Sequence, residues 1–320
     1  MRLIRALFGS PGNALLTLFL LALLYALGKA LLLWALGAQW WVVTENLRYF
    51  FVGQLPPELT WRAWVTLLAG LVALAGWLGR LGILPLPKAG WVLAVGIGAG
   101  ILALPLPVTL WSGLFLSLLL SLSAMALAFP LGVALAFARQ SRLVGLRLLA
   151  IAYIEAVRGV PLVSLLFLAF VTLPLFLPEG FRLPQVVRAL LAFTLFAAAY
   201  LAENVRGGLQ AVPKGQWEAA YSLGLSPFQA ALYVVLPQAL RAVVPALVGQ
   251  FISLFKDTSL VALIGILDLM GVARAVLANP RNVGLEREVY LFLAVVYLVV
   301  SGAFSYVGRL VERRMGLGVR

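Results

Sequence analysis

The sequence has no cysteine and no histidine. The first absence excludes disulfides, thiolate nucleophiles and sulfur-ligated metals, and the second removes imidazole as a ligand or proton shuttle. No metal site is therefore expected. Charge is scarce as well: Asp, Glu, Lys and Arg make up 11% of 320 residues, where a soluble domain carries about a quarter. No G-x-x-x-x-G-K-[ST] stretch is present to cradle a nucleotide's phosphates. Neither a catalytic residue nor a bound cofactor is expected on this chain.

Apolar sequence takes up the space. Hydrophobic residues reach 63% and the mean hydropathy is +1.06. Uncharged runs cover 63–79, 159–178 and 289–308, and a longer one covers 89–138. A membrane helix needs about 20 apolar residues, so the longest run reads as two helices broken near Pro105-Leu106-Pro107. The expected fold is all-α: a polytopic membrane protein of about eight transmembrane helices, near 13–36, 62–79, 89–108, 113–138, 151–177, 185–205, 242–266 and 288–308. The first segment runs into Gly28-Lys29 without a small-x-small cleavage site before a polar domain, so it reads as a span and not a cleaved signal. Gly96-x-Gly98-x-Gly100 reads as a close helix contact. The tryptophans at 34, 40, 41, 61, 64, 77, 91 and 111 read as interfacial belts and lipid-facing packing.

An even count puts both termini on one side. That side collects Arg2, Arg5, Arg80, Lys88, Arg139, Arg142, Arg147, Arg206, Lys214, Arg241, Arg309, Arg313, Arg314 and Arg320. The other has Lys29, Arg48, Arg62, Arg182, Arg188, Arg274, Arg281 and Arg287. Arg158 and Lys256 stay out of the tally as candidates for the membrane interior. Positive charge accumulates on the cytoplasmic side, which puts both termini there. Topology then accounts for the net charge of +13 with no nucleic-acid partner.

Residues 206–241 form a polar loop between two apolar segments. Pro213 suits a first helical turn, where its missing N–H does no harm, and Trp217, Ala220, Tyr221 and Gly224 follow at helical spacing. Ser226-Pro227 is a cap signal for a second short helix, with an apolar stripe of Phe228, Ala231, Leu232 and Val235, closed near Pro237. Two short helices meeting at a glycine make a compact element for something in the cytoplasm to grip.

The words in this region are specific. Glu218-Ala219-Ala220, then Gly224, then Val234-Val235-Leu236-Pro237 fit EAA-x3-G-x9-I-x-LP, with Val234 in place of isoleucine. Around them stand Ala199-Tyr200-Leu201-Ala202-Glu203, Arg206-Gly207-Gly208, Pro213-Lys214-Gly215-Gln216, Leu236-Pro237-Gln238-Ala239-Leu240-Arg241 and Lys256-Asp257-Thr258-Ser259-Leu260. Together they resemble the permeases of ABC importers, in the branch that takes up polar amino acids, over roughly residues 113–311. With Tyr153-Ile154-Glu155, Arg158-Gly159-Val160-Pro161 and the amino-terminal extension, the chain looks most like the general L-amino-acid subgroup. The resemblance implies a five-helix permease core at 113–311, an extension of about three spans at 1–112 and a cytoplasmic tail at 312–320. It also implies a multi-pass protein of a prokaryotic inner membrane. The implied partners are two cytoplasmic ABC ATPase subunits that hydrolyse ATP, a second permease subunit (identical or paralogous), and an extracytoplasmic solute-binding protein. The implied contacts with the ATPase are Gln216, Glu218, Ala219, Ala220, Gly224, Leu225, Ser226 and Pro227.

Charges within the spans are the candidates for substrate. A charged side chain at mid-membrane costs about 2.5–3.5 kcal/mol on insertion scales, so it faces protein or water. Lys256 and Asp257 lie roughly 22–24 Å beyond Arg241 at about 1.5 Å per residue. An amino acid's ammonium group needs an anion, and its carboxylate needs a cation or free N–H groups. Asp257, with Lys256, Thr258, Ser259 and Gln250, could supply both. Alternatively Lys256 and Asp257 pair with Glu203 or Arg206 to hold the bundle together. Glu203 either joins the substrate set or forms an ion pair near the cytoplasmic surface. Arg158-Gly159-Val160-Pro161 is either a break lining the pathway or a helix start at the interface. Two other classes stay open. A channel or receptor would not need the polar loop, and an intramembrane enzyme would need Glu203 and Asp257 in one site.

Overall fold

In lipid, only a helix or a closed barrel satisfies its own backbone hydrogen bonds, and here the apolar runs are helical. The computed structural model describes residues 7–80, 89–103, 108–178, 180 and 182–315. In chain order these form α1 (Pro11–Gly37), α2 (Trp41–Val52), α3 (Thr60–Arg80), α4 (Ala89–Ala103), α5 (Gly113–Arg139), α6 (Val144–Arg158), α7 (Leu162–Phe176), α8 (Gln185–Ala211), α9 (Lys214–Ser222), α10 (Pro227–Ile264), α11 (Leu269–Leu277) and α12 (Glu286–Arg314). Extended pairing among the described residues is limited to an isolated parallel bridge between Gly113 and Asp268. The all-α expectation therefore holds.

The expected count of about eight spans is not confirmed. Five described helices, α1, α5, α8, α10 and α12, are long and apolar enough to cross a bilayer, or six if α6 and α7 form one broken span. The segments expected at 62–79 and 89–108 correspond to α3, with Arg62 and Arg80 near its two ends, and to α4, described over Ala89–Ala103. The break expected at Pro105-Leu106-Pro107 lies outside the described residues, as do Arg2, Arg5, Lys88, Glu179 and Arg320. The span expected at 151–177 is also corrected. The chain is helical from Val144, stops at Arg158 and turns by 105° before continuing at Leu162. Pro161, which has no N–H and whose ring would clash with a carbonyl four residues back, starts the new helix instead of extending the old one.

Three helices, α5, α8 and α10, make most of the main core, joined by Leu162 and Leu166 of α7. Hydrophobic burial does little to join helices surrounded by lipid, so close packing of small residues must do it. Ala197, Ala198, Ala199 and Ala202 of α8 are fully buried. A Cβ added at Gly132 would lie 2.6 Å from the Leu201 side chain, and one at Gly208 would lie 2.5 Å from the Ala239 carbonyl. The backbones approach because no side chain separates them. Gly96 repeats this device in the extension, where a Cβ would meet the backbone of Ala73 at 2.3 Å.

A second core joins the extension to the rest. Val42, Val43 and Phe50 of α2 pack with Leu269, Val272, Ala273 and Val276 of α11 and Val289 and Leu293 of α12. Neither α2 nor α11 is apparent from the hydropathy, because each is a short, one-sided helix outside the long apolar runs. Trp40 and Trp41 flank this core and Trp111 flanks the main one, so these three pack on protein, while Trp61, Trp64 and Trp91 are exposed in keeping with a lipid-facing role.

Candidate functional site

Between α8 and α10 the chain builds a single exposed helix. Val212 and Pro213 are extended, and Pro213 caps α9 without a side-chain hydrogen bond. One face of α9 is anchored: Ala220 is 1% exposed, Trp217 packs against the main core, and the Gln216 side-chain Oε1 accepts from the Gln238 side-chain amide at 2.9 Å. Glu218 and Ala219 stay exposed, as do Gln216, Gly224, Ser226 and Pro227, with Leu225 half-buried. Gly224 turns the chain at φ +77°, a left-handed conformation that favours glycine, with nothing within 4 Å of where a Cβ would point. Ser226 then closes a capping box: its hydroxyl accepts from the Gln229 N–H at 3.3 Å, and the Gln229 side chain accepts from the Ser226 N–H at 2.9 Å.

The second short helix differs from expectation. It does not close at Pro237 but runs on as α10, through a widened π-turn at Ala230–Val235. Such a turn relieves the clash that a proline imposes on the preceding helical turn. The register shift also divides the expected apolar stripe. Val235 is fully buried, whereas Phe228 is 74% exposed. Leu223, Phe228 and Tyr233 thus leave a hydrophobic fringe beside α9. The sequence reading missed these residues as a group, although each was visible as an apolar residue in a polar loop.

Glu203 on α8 is the centre of a charge cluster. Its carboxylate lies 2.7 Å from Arg139 at the end of α5, 2.8 Å from Arg206 one turn further along, and 3.8 Å from Arg158 at the end of α6. Arg139 also meets Glu155 at 3.0 Å, and Arg158 lies 5.4 Å above the Tyr200 ring. The cluster ties three helices together where the chain turns at Gly159–Pro161.

The other proposed substrate residues lie elsewhere. Gln250 and Asp257 are half-buried on α10 and Lys256 is exposed. Thr258 is fully buried, its hydroxyl donating to the Phe255 carbonyl at 2.7 Å, and the Ser259 hydroxyl donates to the Lys256 carbonyl at 2.8 Å. Among the described residues, no ion pair links Lys256 or Asp257 to Glu203 or Arg206. Since Gly208 of α8 faces Ala239 of α10, Glu203 and Asp257 lie roughly 20 Å apart along the bundle at about 1.5 Å per residue. They do not share one site.

Asp268 was not among the expected residues. It is fully buried, caps α11 by accepting from the Gly271 N–H at 2.8 Å, and lies 3.5 Å from the Ser117 hydroxyl. Burial pushes its carboxyl up to about 7. An aspartate directly before the one-sided run from Leu269 to Leu277 was the available cue.

Comparisons with known proteins show the family and the fold. Residues 128–317 match the family described as "Binding-protein-dependent transport system inner membrane component". The chain is 38% identical over 340 residues, 98% of this chain and 92% of the relative, to the inner membrane amino-acid ABC transporter permease protein YhdY of Escherichia coli strain K12. It is 43% identical over 187 residues, 58% of this chain and 43% of the relative, to the glutamate/glutamine/aspartate/asparagine transport system permease protein BztC of Rhodobacter capsulatus. The crystal structure of an amino acid ABC transporter with histidines is similar at a TM-score of 0.56 and 35% identity, over 63% of this chain and 92% of that one. An inward-facing structure of the MetNI methionine ABC transporter shares the fold at a TM-score of 0.51 and 20% identity, with the same coverage. The chain belongs to the family of binding-protein-dependent transport system inner membrane components.

Proposed function

We propose that this chain is the transmembrane permease subunit of an ATP-driven, binding-protein-dependent importer of polar L-amino acids. The observation that carries the reading is α9: a helix anchored on one face by Ala220 and Trp217 and free on the other, in register with the Glu218-Ala219-Ala220 and Gly224 word. The amino-acid permeases among its relatives support the substrate class. The chain itself binds no nucleotide. Its partners are two cytoplasmic ABC ATPases, a second permease subunit of the same or a related kind, and an extracytoplasmic solute-binding protein. Gln216, Glu218, Ala219, Ala220, Gly224, Leu225, Ser226 and Pro227 meet the ATPase, with Leu223 and Phe228 beside them. Both termini are cytoplasmic in a prokaryotic inner membrane. Residues 113–311 form the permease core, 1–112 an extension and 312–320 a tail. Gln250, Lys256, Asp257, Thr258 and Ser259 form one side of the substrate path, and Glu203 serves the bundle at its cytoplasmic end. Affinity purification of the tagged chain from native membranes in mild detergent tests the reading. An ABC ATPase should copurify, and Leu223→Asp with Phe228→Asp should release it without lowering the amount of permease. Retention of the ATPase by that double variant would remove α9 and its fringe as the docking element.

A further inference from the structure

We propose that a cavity of about 500 Å³ between the end of α7 and the start of α8 binds a carboxylate, that of the amino acid entering the importer. The proposal rests on the importer reading and on the orientation given with it, which puts this end of the bundle outside. Pro174 and Leu177 form the apolar wall, and Arg182, Gln185 and Arg188 the polar one.

Arg188 carries the argument. Its guanidinium is partly buried, donates through Nη1 to the Phe170 carbonyl at 2.6 Å, and lies 5.0 Å from the centre of the Phe170 ring. Phe170 sits in a π-turn, Leu168–Thr172, whose widened register frees a carbonyl for a side chain. The Arg188 Nε is buried and has no partner. A carbonyl and a ring face orient a guanidinium but supply no full negative charge, and a partly buried cation is stabilised by an anion beside it. Among the described residues, no carboxylate forms an ion pair with Arg188 or Arg182.

The surroundings add to the deficit. Pro184 begins α8 with no side-chain cap, and Pro184 and Gln185 line the cavity, so the positive end of a 27-residue helix lies beside it. Arg188 in the first turn adds like charge to that end, and a bound anion relieves both. A guanidinium fork matches the two oxygens of a carboxylate. The volume falls in the range of about 300–1,000 Å³ typical of small-molecule sites. The phosphate of a lipid headgroup offers related oxyanion chemistry, and the experiment has to separate the two.

The test uses the full chain in nanodiscs of phosphatidylcholine. Arginine-selective labelling by phenylglyoxal is mapped by mass spectrometry, with L-glutamine and L-arginine as probes and their α-amides as controls. At twice its dissociation constant a ligand slows labelling of an occupied site about threefold. That slowing is expected at Arg182 and Arg188 with the acids and not with the amides, while Arg142 and Arg147 label unchanged. Arg188→Gln should abolish protection at Arg182, and Arg188→Lys should keep part of it. Slow labelling of Arg139, 21% exposed and paired with Glu203, in both variants confirms that they are folded. Equal labelling with acids and amides would overturn the proposal, and so would protection that appears only when phosphatidylglycerol is added, which would assign the site to a headgroup. Because the chain is labelled alone, the two readings fail separately. Protection without transport by the assembled importer would keep the carboxylate site and remove the importer. Transport without protection would do the reverse.

Discussion

At Gly224 the conformation and the surroundings make separate demands. The backbone is left-handed, which costs an ordinary residue about 1–2 kcal/mol, while the space around it is open. A side chain there should therefore leave the permease folded and meet the docking partner instead. Gly224→Asp is expected to insert normally and lose binding-protein-stimulated ATP hydrolysis. Gly224→Asn, which tolerates the same backbone without the charge, should keep more of it. Normal coupling in the aspartate variant, measured as stimulated hydrolysis and uptake, would count against the docking role. The two intramembrane carboxylates should separate just as clearly. Glu203 is 15% exposed and sits among three arginines, so Glu203→Gln is expected to cost roughly 2–3 kcal/mol, somewhat less than breaking a fully buried pair. Among the described residues Asp257 forms no ion pair across the bundle, so Asp257→Asn should leave stability alone. It should weaken substrate affinity roughly ten- to a hundredfold if one charge-assisted hydrogen bond to the ammonium is lost. Thermal unfolding in detergent and uptake kinetics on both variants decide the matter. A stable Glu203→Gln with altered KM, or an Asp257→Asn with unchanged KM, would reverse the assignment.

Elements differ in how far the sequence reveals them. The helix α9 and the Ser226 cap are legible because their signals are local: Pro213 before the first turn, Ser226-Pro227 with Gln229 three residues on. The run-on of α10 past Pro237 is not, because the π-turn that absorbs the proline depends on how Val235 and Leu236 seat in the core. Glu203's arginines come from α5, α6 and α8, and no sequence spacing encodes a meeting of three helices. The helices α2 and α11 go unread for another reason. Each buries only a stripe, and each lies in a segment that reads as a connecting loop. Asp268, the cap of α11, gives the element a measurable signature. Burial pushes its folded carboxyl up to about 7, above the ordinary value near 4, so between these values the folded state holds the extra proton. Stability contributed at this site should fall as pH rises from about 4 through 7. Asp268→Asn keeps a capping side chain and should flatten that part of the melting-temperature profile. A variant profile as steep as the parent's would place the titration elsewhere.

For the whole molecule, the membrane class and the family were legible from hydropathy and the loop words, while the break inside the segment expected at 151–177 was not. Composition cannot distinguish a bent pair such as α6 and α7 from one span. Orientation can be measured directly, since the chain has no cysteine. A single cysteine at Ser226 should resist an impermeant maleimide in intact cells, and one at Glu286 should react; the opposite pattern would invert the topology. The most direct test of the central claim is transport itself. The chain is reconstituted into proteoliposomes with the ATPase and solute-binding protein that copurify with it, and radiolabelled L-glutamine, L-glutamate and L-arginine are supplied on the binding-protein side. The expected result is accumulation of at least one of them that requires ATP, the binding protein and an intact Gly224. Accumulation that persists without ATP, or with the ATPase omitted, would contradict it.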